Sequence, residues 1–149
     1  LNDLQKIDLY NNNLDNIDAL NELKRLKVII ASRNYIRDVN LQLPKLQELD
    51  LSNNYIRKVP ILSQIPTLKV LILEANNISE LKLQCKAQNY GKIMKMDFRN
   101  NKIEFTNMQV INFLKKLKEF KALRNLNLEL NPFERDPLIN AKIIRGLPQ

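Results

Sequence analysis

Residues 46–56, LQELDLSNNYI, alternate apolar and polar positions as a half-buried strand does. The stretch then ends on Asn53-Asn54, where a tight hairpin would carry Asn-Gly. A strand with this ending needs a partner other than its own hairpin mate. Working outward, the same Leu-x-x-Leu-x-Leu-x-x-Asn spacing recurs in LQKIDLYNNNL, LKVIIASRNYI, LKVLILEANNI, IMKMDFRNNKI and LRNLNLELNPF. The anchor asparagines are Asn12, Asn34, Asn54, Asn76, Asn101 and Asn131, so successive steps are 22, 20, 22, 25 and 30 residues. Self-similarity at this period is the mark of a stacked repeat.

In the regular copies an apolar residue recurs at every third position after the anchor, as in Leu14, Ile17, Leu20 and Leu23, or Ile56, Val59, Leu62 and Ile65. That pattern predicts a short helix or 3₁₀ segment returning the chain. Over essentially the whole chain these spacings resemble the short intracellular class of leucine-rich repeats, about 22 residues each, typified by the repeat-built regulatory subunit of protein phosphatase 1. The resemblance implies an α/β leucine-rich-repeat solenoid of six repeats plus a C-terminal helical cap. Its curved parallel sheet would form the concave face and short helices or 3₁₀ turns the convex face. Repeats are expected to start near residues 4, 26, 46, 68, 93 and 123 with the cap over 131–149, all in one domain spanning 1–149. Strands too short to stand alone would satisfy one another's backbone groups at a spacing of about 4.8 Å. In this class the anchor asparagine points inward and bonds backbone groups at the bend after the strand. Asn53, one position earlier, is expected to be exposed in a turn geometry that asparagine tolerates.

The later copies are irregular. NISELKLQCKAQNYGK, after Asn76, lengthens the step by three residues and places Gly91 as a turn before the next strand. After Asn101, Val110, Phe113, Leu114, Leu117 and Phe120 fall at helical spacing, and Thr106 is positioned to cap an outer helix of about three turns. The final NPFERDPLINAKIIRGLPQ reads as a helix with Asp136 at the N-cap, Pro137 at the first turn, Gly146 just past the end, and Leu138, Ile139, Ile143 and Ile144 as its apolar side. It resembles the cap motif of the short-repeat class at Asn131-Pro132, Asp136-Pro137 and Leu147-Pro148. It departs from that motif in carrying Ile139-Asn140 where Tyr-Arg is usual. Leu1 and Leu4 fit the last step of a preceding repeat, and further sequence is expected on both sides.

Composition narrows the chemistry. Two glycines in 149 residues leave little room for phosphate-cradling loops or dinucleotide fingerprints. With no histidine, Ser-His-Asp and Cys-His catalysis and histidine-containing metal sites are excluded. Cys85, the lone cysteine, cannot close an intramolecular disulfide and favours a reducing compartment. It lies between Lys82 and Lys86 without an accompanying base, and reads as a packed side chain rather than a nucleophile. No catalytic residue, cofactor, metal, small-molecule substrate or membrane association is expected. The expected location is cytoplasmic, in a cytoskeletal or ciliary setting, with the nucleus as the alternative.

Strand alternation assigns the polar-facing positions to the concave face. Their charges are Lys6, Lys27, Arg33, Lys69, Lys95, Arg99 and Arg124 against Asp8, Glu48, Asp50, Glu74, Asp97 and Glu129, a net +1, so +7 of the formal +8 lies elsewhere. The central column reads Asp8, Ile30, Asp50, Ile72, Asp97, Asn127, with Val28 and Val70 beside the isoleucines. Exposed apolar pairs flanked by charge suit a protein interface, although β-branched residues also simply favour strands. Tyr10, Val28, Ile30, Glu48, Asp50, Val70, Ile72, Asp97 and Arg99 are the expected protein-binding residues. Lys115, Lys116, Lys118 and Lys121 on the outer helix are either a solvated face or a contact for a polyanion, such as RNA or an anionic filament. The favoured function is a non-enzymatic scaffold gripping a protein partner in its concave sheet, as part of a cytoskeletal or ciliary (axonemal) assembly. The alternatives are a nuclear ribonucleoprotein or RNA-processing adaptor using the basic convex side, and a phosphatase regulatory subunit.

Overall fold

The computed structural model describes residues 1–147; Pro148 and Gln149, including the second half of the Leu147-Pro148 motif, lie outside the described residues. Each leucine pattern forms a three-residue strand: β1 (Lys6–Asp8), β2 (Val28–Ile30), β3 (Glu48–Asp50), β4 (Val70–Ile72), β5 (Lys95–Asp97) and β6 (Asn125–Asn127). They stand in one sheet in chain order, and every neighbouring pair is parallel. Three residues cannot hold a strand alone, so pairing is what makes these segments extended. The register is one-to-one between repeats: Ile7, Ile29, Leu49, Leu71, Met96 and Leu126 form the inward row. Lys6, Val28, Glu48, Val70, Lys95 and Asn125 form one concave row, and Asp8, Ile30, Asp50, Ile72, Asp97 and Asn127 the other.

Leu26, Ile29, Leu46, Leu49, Leu51, Leu68, Leu71 and Leu73 are fully buried in the merged core. Burial weakens towards the first repeat, where Ile7, Leu9 and Leu14 are only half-buried. The chain leaves each strand through one left-handed residue, with φ of 54 to 58° at Asn11, Arg33, Asn53, Ala75, Asn100 and Leu130. Each directly precedes an anchor asparagine, and Asn53 is exposed as expected. Asparagine tolerates this geometry best, whereas Arg33, Ala75 and Leu130 hold it at a cost.

The anchors explain the strand endings. Asn54 Nδ2 donates to the carbonyls of Leu51 at 3.0 Å, Ser52 at 3.2 Å and Ala31 of the preceding repeat at 3.0 Å, while its Oδ1 accepts the Ile36 N–H at 3.0 Å. Asn34, Asn76, Asn101 and Asn131 repeat this pattern on Leu14, Ile56, Ile78 and Ile103. Asn12 differs, being exposed and bonding only the carbonyls of Leu9 and Tyr10.

On the convex side, 3₁₀ segments Asp18–Glu22 and Leu62–Gln64 return the first and third repeats. The long fourth repeat contains a helical turn that sequence reasoning missed, α1 (Ala87–Tyr90), and Gly91 follows it with an ordinary φ of −87°. Asn89 in this turn is fully buried; its Oδ1 accepts the Lys86 N–H and its Nδ2 donates to the Leu62 carbonyl at 2.9 Å. α2 (Asn107–Leu117) is the expected outer helix, with the Thr106 hydroxyl accepting the Gln109 N–H and the Gln109 side chain accepting the Thr106 N–H. α3 (Pro137–Gly146) starts where expected, Asp136 accepting the Leu138 and Ile139 amides, and Gly146 is its last residue rather than the one beyond it. A Cβ on Gly146 would stand 2.5 Å from Leu114 Cδ1, so the glycine permits close packing of α3 on α2. The apolar side of α3 is narrower than its composition implies. Ile139 and Ile143 are buried, but Leu138 and Ile144 are 73% and 66% exposed.

Candidate functional site

The parallel register brings the expected protein-binding residues of the central strands together. Val28 pairs with Glu48 and Glu48 with Val70; Ile30 pairs with Asp50 and Asp50 with Ile72. The four apolar members are half-buried rather than exposed, because each lies beside a neighbouring strand at sheet spacing. The result is an open surface of low apolar relief, with a row of carboxylates between two apolar patches.

Those carboxylates also have a structural task. Asp8, Asp50 and Asp97 each use Oδ1 to accept the backbone N–H two residues on, at Tyr10 (2.9 Å), Ser52 (2.9 Å) and Arg99 (3.0 Å). Asn127 does the same for Glu129. Such a bond fixes the chain as it leaves the strand, and Ile30 and Ile72 carry no equivalent acceptor. The alternation of acid and isoleucine therefore reflects both a surface pattern and a local backbone preference.

Arg99 crosses to the neighbouring repeat, where its Nε donates to Glu74 Oε1 at 3.1 Å and its Nη2 contacts the same oxygen. This hydrogen bond to Glu74, reinforced by the carboxylate's charge, raises the Arg99 pKa above the ordinary arginine value. Arg99 is thus already paired within the chain. Tyr10, at the other end of the sheet, is half-exposed with the Arg33 guanidinium 5.6 Å from its ring centre.

The four lysines expected on the outer helix do not form one free stripe: α2 ends at Leu117, so only Lys115 and Lys116 lie on it, Lys118 caps its end and Lys121 follows in a turn. Lys116 turns inward, its Nζ 5.4 Å from the centre of the Tyr90 ring. Its interaction with Tyr90 is also the main reason the Lys116 pKa stands above the usual lysine value. Lys115, Lys118 and Lys121 remain exposed. Beside them, the long fourth repeat and α2 enclose a cavity of about 290 Å³ with Leu81, Leu83, Phe105 and Phe113 among its walls. Its rim mixes Glu80 and Glu104 with Lys82 and Lys116, so it presents no single sign of charge.

Cys85 is half-buried, with Sγ 3.4 Å from the Leu83 carbonyl oxygen. Among the described residues no group of histidine, cysteine and carboxylate side chains is arranged to hold a metal ion. No described helix is long and apolar enough to cross a membrane.

One aromatic pair was missed from the sequence. Tyr35 and Tyr55 stack with ring centres 5.9 Å apart and planes 4° from parallel. Its signal was available as the repeated Asn-Tyr-Ile-Arg at 34–37 and 54–57.

Two of the three central strands, β3 and β4, fall within the segment that known proteins identify. Residues 44–84 match the family model for leucine-rich repeats in two copies. The fold is a leucine-rich-repeat solenoid. The search of curated proteins finds no match. Leucine-rich-repeat domains are typically non-enzymatic modules that bind other proteins, and the matched segment carries Glu48, Asp50, Val70 and Ile72.

Proposed function

We propose that this solenoid is a non-enzymatic scaffold that binds a protein partner across the concave rows of β2, β3 and β4. The observation that carries the reading is the register itself: Val28-Ile30 and Val70-Ile72 flank Glu48-Asp50 on adjacent strands. Apolar neighbours supply buried area while the acidic row between them selects a basic or hydrogen-bond-donating counterpart. A helix or loop of a partner fits such a broad open surface better than a small molecule, which needs a concave pocket that excludes water. A cytoskeletal or ciliary assembly is the setting we favour, on the family resemblance. The RNA-adaptor reading is weaker, since Lys116 is held against Tyr90 and so is withdrawn from the lysine set.

The test is a comparative pull-down with the chain and with an Ile30→Glu/Ile72→Glu variant, whose folding is checked by circular dichroism. Proteins retained by the parent chain should be lost by the folded variant. Undiminished capture of every partner would sink the concave-face reading. Capture lost only in a Lys115→Gln/Lys118→Gln/Lys121→Gln variant, and abolished by ribonuclease, would move the function to the convex side.

A further inference from the structure

The geometry points to a second interaction surface on the edge of the solenoid, formed by Arg33, Tyr35, Arg37, Tyr55 and Arg57, that takes an extended acidic peptide segment. Tyr35 and Tyr55 directly follow their anchor asparagines, beyond the bend that ends the concave strand. Ile36 and Ile56 are fully buried, so the residues on either side of each, Tyr35 with Arg37 and Tyr55 with Arg57, share the outward side of an extended segment. All four are exposed, the tyrosines by 51% and 48%. Two consecutive repeats therefore set two tyrosines and two arginines side by side.

The basic side chains of this edge, Arg33, Arg37, Arg57 and Lys58, outnumber the carboxylates at neighbouring positions of the same and adjoining repeats, Asp15, Asp38 and Glu80. Among the described residues the ion pairs are Arg25 with Asp3, Lys82 with Glu80 and Arg99 with Glu74, and none involves Arg33, Arg37, Arg57 or Lys58. Arg33 is held at the Tyr10 ring and borders a shallow polar depression that also includes Tyr35, Asn11, Asn12 and Asn53. Cations without carboxylate partners, next to phenol hydroxyls and asparagine amides, form a surface of hydrogen-bond donors suited to carboxylates.

The spacing favours a peptide. Tyr35 and Tyr55 are 5.9 Å apart, close to the roughly 6.7 Å between alternate side chains of an extended strand. Successive acidic side chains on one side of such a segment would meet successive repeats, each with an arginine able to grip a carboxylate bidentately. The ring stacking argues against single-stranded nucleic acid. Stacking takes up one face of each tyrosine, so the pair offers at most its two outer faces, fewer than the run of successive open rings on which a single strand stacks its bases.

The test is an NMR titration of the isotopically labelled chain with three probes of equal length: a peptide of alternating glutamate and aspartate, its glutamine-asparagine counterpart, and oligouridylate. The acidic peptide should shift the amides of residues 33–37 and 53–58, weaken with added salt, and lose about tenfold or more in affinity in the Arg37→Gln/Arg57→Gln variant. Tyr35→Phe/Tyr55→Phe should weaken it by a smaller factor, and Lys115→Gln/Lys118→Gln should leave it unchanged. Unshifted signals elsewhere in the spectrum show that the exposed substitutions leave the fold intact. No shift with the acidic peptide, shifts confined to α2, or tighter binding of oligouridylate to the same edge would each overturn the proposal. The concave-face variant leaves these residues untouched, so the two surfaces fail or stand separately.

Discussion

Asn54 commits both ends of its carboxamide to backbone groups, three carbonyls and one amide, and it does so in the interior. Replacing it by alanine leaves the Ile36 N–H dry and without a partner, at about 1–3 kcal/mol, while each carbonyl keeps one other donor: Asn34 Nδ2 at Ala31, Asn76 Nδ2 at Leu51 and the Arg33 N–H at Ser52. We expect Asn54→Ala to cost on the order of 3 kcal/mol in urea unfolding, and Asn12→Ala less than about 1 kcal/mol because water reaches the groups Asn12 serves. Equal losses at the two positions would contradict the distinction. The role of these asparagines was legible in the sequence because the strand ending made sense only as a bend between stacked copies. Their unequal burial follows from stacking order: Asn34 donates to the Leu9 carbonyl of the repeat before it, whereas Asn12 bonds only carbonyls of its own repeat.

Among the elements, α2 was the most readable, since its apolar spacing and Thr106 cap agree with each other. Thr106→Ala removes the hydroxyl that accepts the Gln109 amide, and about 1 kcal/mol of stability should go with it. Thr106→Ser should retain most of that, as read from paired thermal unfolding curves. The faces of the helices were less legible. Helical spacing places Leu138 and Ile144 near Ile139 and Ile143, but only a narrow strip of a two-to-three-turn helix can be covered by its neighbours. The glycine at 146 brings α3 close to α2 along that strip and leaves the flanking side chains outside. Similarly, nothing in the period of the repeat reveals that Lys116 rather than Lys115 meets Tyr90. That contact joins α2 to the short turn α1, whose place is fixed by the bonds of Asn89 to Lys86 and Leu62.

At the scale of the whole molecule, each repeat touches chiefly its neighbours, so stability is distributed along one dimension. Leu49 and Leu71, in the middle of the stack, are fully buried, whereas Ile7 is only half-buried. Hydrogen exchange should therefore be slowest for β3 and β4 and fastest for β1, and Leu49→Ala should cost roughly 2–5 kcal/mol against a clearly smaller loss for Ile7→Ala. Uniform protection along the sheet would show instead that the array unfolds as a single unit. The register of the sheet, and with it the rows at Glu48 and Asp50, could be read before any coordinates because one asparagine per copy fixes the phase of every strand. That same phase puts Tyr35 and Tyr55 at equivalent positions of adjacent repeats, whereas the near-parallel stacking of their rings needed the fold.

The asparagine bonds also give the stack a direction. Asn34 accepts the Leu14 amide, Asn54 that of Ile36, Asn76 that of Ile56, Asn101 that of Ile78 and Asn131 that of Ile103, so each return segment is fastened by the repeat after it. As the chain leaves the ribosome, a newly emerged repeat stays unlatched until its successor follows. Closure then trails synthesis by one copy, and the latch for the fifth repeat comes with Asn131, just ahead of α3.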